Sequence, residues 1–549
     1  MPRFIATLLA ALLAADFGEA VADGKEFRVV ETMRATETAT CLAPDGDALW
    51  VGMEGGGMTR VTSGGTQSFG SEDGLPGNRV TDCATHAGEL WVATEHGLAL
   101  WDGQDGFVTV LKGRFLRLAA SASSLWAATG SGTAYRIVDD NAYPYHLDLV
   151  PLALATSADG RVAAGGVDGR VRVLPEGDAI TLGPPVTALE WEGNEIVATT
   201  ADGTLRVKGN KAEPVNALSA SGPSGRQINA KTMWRGARVV ATDRGVFRFE
   251  KNSWQPIPLG GIPCGERIVA LAHFDGALWA GGFDGGVCRL DENGWTRFAG
   301  PELLPSDRVN DMAADSEHLY VATLGGLAVL DREGAWRTYT KDQCVDNPWR
   351  SCPWHTSVTG VAVDEKTGRA WMADTGSVHR LDEKRWRRYY TKAGITSRNI
   401  TRIAADADRV AVATSDRGLH YRDSAEFITL DDQNGLADNW IMDLAFATDG
   451  ALWIGTCTRG VSRYEGGRWT TFTTDDGLVD DYILAVRPAG EYVFVGTLSG
   501  LSIVGPDGID NFSAREGLGG EEVHDILIHG GRVYLATDGG ITVLEGGIL

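Results

Sequence analysis

Proline is scarce (19 of 549 residues), and cations are outnumbered: 50 Lys plus Arg face 73 Asp plus Glu, for a formal net charge of −23. A nucleic-acid binder needs clustered Lys and Arg to meet phosphates, so that class is excluded. The seven cysteines include no CxxC pair, and the Cys and His spacings make no zinc site. No GxSxG, HExxH, phosphate-loop or EF-hand string occurs. After the first 22 residues no window holds 18 uncharged apolar residues, so no later membrane helix is expected. No segment sustains a 3.6-residue apolar period either. Glycine, by contrast, is abundant at 71 residues and without a three-residue period, which excludes collagen. With 17 tryptophans it suggests many short strands joined by tight turns.

Residues Met1 to Ala22 read as an export leader. Arg3 supplies the positive end, Phe4 to Ala15 a short apolar run, and Ala20-Val21-Ala22 the cleavage site. The run is too short to span a bilayer, and no cysteine follows it to take a lipid. The mature chain then starts at Asp23 and is periplasmic or extracellular. There, Cys344 and Cys352 in CVDNPWRSC are expected to close a local disulfide loop. Cys264 and Cys288 form a second candidate pair, and Cys457 is the unpaired seventh. Cys41 and Cys83 occupy repeat positions that are apolar elsewhere and read as small buried hydrophobes.

A short strand of the form LWVAT followed by a glycine turn recurs 13 times, about every 35–43 residues. One interval, between Tyr320 and Trp371, is longer and holds the insertion 341–357. Each unit contains four strand-like runs, as in IMDLAFA, Leu452 to Thr456, Gly460 to Tyr464 and Trp469 to Thr473. Four antiparallel strands per repeat are a β-propeller blade. The expected fold is all-β: tandem propellers with about 13 blades in two rings, six plus seven. The expected domains are 23–270 and 271–549, with FRVVE at 27–31 as a lone fourth strand that completes a blade. The tryptophans at strand centres (50, 91, 126, 279, 371, 453) are expected in the cores between blades.

The units 72–103, 475–505 and 516–546 share a D-G-L or E-G-L loop, a Val/Ile-led inner strand, a second strand centred on an aromatic residue, and a glycine turn. This pattern resembles the two-component-regulator propeller repeat. The resemblance implies an exported ligand-binding or sensor-like propeller, although no β-sandwich, membrane helix or kinase module is seen here after the last repeat.

In such a fold the loops entering each inner strand ring the channel mouth. Candidate ligand residues are therefore Asp73, Arg79, Asp432, Trp440, Asp475, Asp476, Asp480 and Glu521, with Trp349 and Trp354 from the insertion. The face is acidic and suits a cationic partner; no cofactor is expected, with a divalent cation the one alternative. Partners are then a small ligand, glycan, peptide or envelope protein, with a separate signalling protein as a further alternative. Charges at the third inner-strand position (Asp82, Arg117, Asp311, Arg402, Asp443, Asp525) read as links between blades. Two alternatives stay open: a streptogramin-lyase-like enzyme using His524 and Glu522, and a structural scaffold in envelope assembly.

Overall fold

Alternating apolar side chains on β-branched and aromatic runs favour strands, and the glycines between them allow tight reversals. The computed structural model describes residues 27–546, except 37, 105, 139–140, 175–178, 209–210, 216–222, 224–225, 266, 293, 343–352, 354, 365, 383–384 and 424–425. The expected leader (residues 1–22), Cys344, Cys352, Trp349 and Trp354 lie outside the described residues.

The strands form 13 four-stranded antiparallel sheets. Blades 1 to 6 span 39–69, 80–112, 115–146, 151–181, 186–214 and 228–257. Blades 7 to 12 span 268–298, 309–339, 358–389, 400–430, 441–472 and 483–512. Blade 13 spans 523–546 and takes Phe27–Arg34 as its outermost strand. The lone fourth strand expected at 27–31 thus completes the last sheet, whose own chain segment supplies only three strands. Phe27 fixes that strand by packing edge-on against Tyr492 and Phe494, 5.1 and 5.3 Å away.

Innermost strands pack in chain order through blades 1 to 5, and blade 6 returns to blade 1. Lys231 pairs with Glu190 between blades 6 and 5. Blades 7 to 13 follow in the same way, and blade 13 returns to blade 7. The six central tryptophans are buried between blades.

Every inner strand carries a bulge. In all 13, the register with the second strand shifts between the first and third residues, as at Val80/Asp82 and Val523/Asp525. The third residue thereby reaches the next blade. Asp82 accepts from the backbone N–H of Leu118, Asp311 from Val361, and Asp443 from Val486, all at 2.8–2.9 Å. Each acceptor is a third residue and each donor a fourth.

Cys41 and Cys83 occupy the same two places in blades 1 and 2, and they are disulfide-bonded (S–S 2.06 Å). The small-hydrophobe reading is therefore wrong: the pair replaces a carboxylate–amide link by a covalent one. Cys264 and Cys288 are not joined, and the Cys264 thiol donates to the Ala280 carbonyl at 3.6 Å.

Candidate functional site

The D-G-L loops are single 3-10 turns. Ser71–Asp73, Asp432–Asn434, Thr474–Asp476 and Ala514–Glu516 each end in a left-handed glycine, with φ of 90–112°. At Gly74 a Cβ would also lie 2.1 Å from the Phe107 carbonyl oxygen, so glycine is required there. The following Leu75, Leu436, Leu478 and Leu518 are buried. The acid before the glycine turns back on its own loop. Asp73 accepts from Gly70 N–H at 2.7 Å, Asp476 from Thr473 N–H at 2.9 Å and Glu516 from Ser513 N–H at 2.8 Å.

One recurring hydrogen bond sets the rest of this face. The turn between second and third strands donates an N–H to the carbonyl just before the inner strand: Glu54 to Thr38, Phe283 to Arg267, Cys457 to Trp440 and Asp538 to Glu522, at 2.9–3.3 Å. Each blade thus presents two residues side by side at the same end.

The two sets of blades meet on this face. Residues 34–36 run parallel to Ile262: Thr36 N–H donates to the Ile262 carbonyl at 3.2 Å, and Ile262 N–H to the Arg34 carbonyl at 2.9 Å. The buried Arg34 guanidinium pairs with Glu72. Ser71 Oγ donates to the Ala514 carbonyl, and Asn78 Nδ2 to the Gly519 carbonyl, both at 2.9 Å. Asn78 Oδ1 simultaneously accepts from Ser71 N–H, so one side chain braces its own loop and the seam.

Beside these contacts lies a cavity of about 880 Å³. Blades 1 and 2 and the loop between them contribute Glu54, Arg79, Glu95, His96 and Lys112; blades 7, 12 and 13 and their loops contribute Arg267, Leu498, Arg515, Glu521, Glu522 and Asp538, so five acids face four Lys and Arg side chains. Arg79 lies 2.5 Å from Glu54 and 3.9 Å from Glu95. Arg267 lies 3.3 Å from Glu522, whose other neighbour is His524 Nε2 at 3.2 Å.

The carboxylates are unequally neutralised. The adjacent His524 imidazole, then Arg267, holds Glu522 below its usual range. Burial pushes Glu95 up to about 7 despite Arg79, and also raises Asp538 and Glu521. In these three, burial outweighs the cations nearby, so their carboxyl groups ionise less readily than in water unless a further cation joins them.

The structure thus gathers Arg79, Glu521 and Glu522 from the sequence-predicted set. Asp73 caps the loop beside them. Asp432, Trp440, Asp475, Asp476 and Asp480 sit on the loops of blades 11 and 12, outside the cavity lining. Trp440 and Asp475 are exposed, whereas Asp480 accepts from Tyr482 N–H and Ser499 Oγ at 2.9 and 2.6 Å. Glu54, Glu95 and Asp538 were missed; their signal was a charged residue in the turn after the second strand. Among the described residues, no three His, Cys, Asp or Glu side chains converge in a group that could hold a metal ion.

No family model and no curated protein matches this chain. Solved structures are similar. PorZ, an essential bacterial surface component of the type-IX secretion system of Porphyromonas gingivalis, aligns with TM-score 0.70 and 16 % identity, over 95 % of this chain and 87 % of that one. The extracellular domain of a putative hybrid two component system from B. thetaiotaomicron gives TM-score 0.46 and 15 % identity, over 96 % and 76 %. Virginiamycin B lyase from Staphylococcus aureus gives TM-score 0.42 and 14 % identity, over 52 % and 96 %. The chain is an all-β propeller protein with 13 four-stranded blades among the described residues.

Proposed function

We propose that this protein is an exported, non-enzymatic binding protein of the bacterial periplasm or cell surface. Its blades form two rings, six and seven, and the seam cavity between them holds a cationic group of a peptide or partner protein. The observation that carries the reading is the cavity itself, where Glu95, Glu521 and Asp538 are held above their ordinary pKa values by burial. A cation placed among them gains attraction that water outside does not offer. Export is supported by the leader and by the Cys41–Cys83 disulfide, since such bonds persist in oxidising compartments.

Calorimetric titration with a lysine-rich peptide, against a glutamate-rich one of equal length, tests this. The lysine peptide alone should bind, and Glu95→Gln with Glu521→Gln should weaken it at least tenfold. Equal binding of both peptides, or an unaffected double variant, refutes the site. A second reading, a structural component of an envelope assembly, is supported by the likeness to PorZ.

A further inference from the structure

A second cavity, of about 120 Å³, opens between blades 7 and 8, lined by Trp279, Phe298, Leu330 and Trp336. Its origin is visible by comparison with blades 1 and 2, where the equivalent residues are Trp50, Phe69, Trp101 and Phe107. The register fixes the equivalence: Trp101 pairs with Phe107 and Leu330 with Trp336, while Phe69 and Phe298 pair with the first apolar residues of their third strands.

In blades 1 and 2, Trp101 lies 4.9, 4.9 and 5.0 Å from the rings of Trp50, Phe69 and Phe107. Those three rings are 5.4, 6.1 and 6.1 Å apart. In blades 7 and 8 the three corresponding rings keep nearly the same separations, 5.3, 6.4 and 6.1 Å. Leucine replaces the fourth ring and the frame has not closed around it. Trp279 Nε1 donates to the Phe274 carbonyl at 3.3 Å, so its polar edge is already satisfied and its ring carbons remain to be packed.

We propose that this slot is a binding site for one planar aromatic ring, which completes the four-ring cluster that Trp101 completes within the chain. A dry cavity of roughly 150 Å³ is known to hold a benzene-sized ring, so the volume is of the right order. Ring centroids about 5 Å from three neighbours lie within the range that aromatic pairs prefer. The site is separate from the seam, and beside the three rings and Leu330 its lining carries the charged Asp275, Arg289, Asp331 and Arg332.

The test is calorimetric titration of the full chain with indole and, separately, with N-acetyltryptophanamide. Indole should bind saturably to one site. Leu330→Trp should weaken it at least tenfold and raise the melting temperature, because the added ring fills the frame. Leu330→Phe should give the same loss if the larger variant fails to fold. Trp101→Leu should add a second indole site. Binding of N-acetyltryptophanamide at the same site assigns the ring to a polypeptide side chain, and binding of indole alone assigns it to a free small molecule. No saturable indole binding, or binding unchanged in both Leu330 variants, overturns the proposal.

Discussion

Asp525 accepts a hydrogen bond at 2.7 Å from the backbone N–H of Leu271, 254 residues earlier in the chain. It is the same third-to-fourth-residue link that joins blades 2 and 3, used here between blades 13 and 7. Asp525 also meets Arg487 at 3.1 Å. Asp525→Ala removes both acceptors and should cost about 2 kcal/mol, read from urea denaturation. Asp525→Asn keeps an acceptor for Leu271 and should cost less.

Asp311 occupies the same third position in blade 8. Burial pushes it up to about 7, with Arg402 opposing. A carboxyl whose native pKa exceeds its unfolded value binds more protons when folded, so stability falls as pH rises. The fall should lie between about 4 and 7, the unfolded and native values. Asp311→Asn should flatten this slope, measured as denaturation midpoints at pH 4.5 and 7.5. A slope identical to that of the parent protein counts against the assignment.

The Cys41–Cys83 disulfide closes a loop with a sequence separation of 42. Loop-closure entropy for that length is about 4 kcal/mol. Paired serine substitutions, or reduction, should lower stability by about 2–4 kcal/mol. Peptide mass mapping of the intact chain under non-reducing conditions should find Cys41 linked to Cys83.

Asp476 holds the Thr473 N–H and hydroxyl at the 3-10 turn. Asp476→Ala should therefore cost about 1 kcal/mol of stability while leaving binding of a lysine-rich peptide unchanged. A large loss of affinity with unchanged stability would return this residue to the ligand-contacting set.

The fold was legible because repetition is written in residues that recur in many units, such as Trp91, Gly97 and Leu75. The unpaired strand at 27–31 was legible for the same reason, since it is a fourth strand without its three partners. The inner-strand bulge was hidden, because no residue type marks it: the bulged position holds Thr81, Leu116, Asn310 or His524. The disulfide was hidden by counting Cys41 and Cys83 as equivalent, when the bulge places one at the third position and the other at the fourth. Part of the cavity escaped because Glu54, Glu95 and Asp538 come together with Arg79 and Glu522 only where the first and last blades meet. The acids of the D-G-L loops drew attention as charges, but several of them serve their own backbone.

Hydrogen exchange with and without a lysine-rich peptide tests the seam site most directly. The cavity predicts simultaneous protection of residues 70–79 in the loop before blade 2 and 514–522 in the loop before blade 13. Protection confined to the loops around Asp432, Trp440 and Asp475, with 70–79 unchanged, would contradict it.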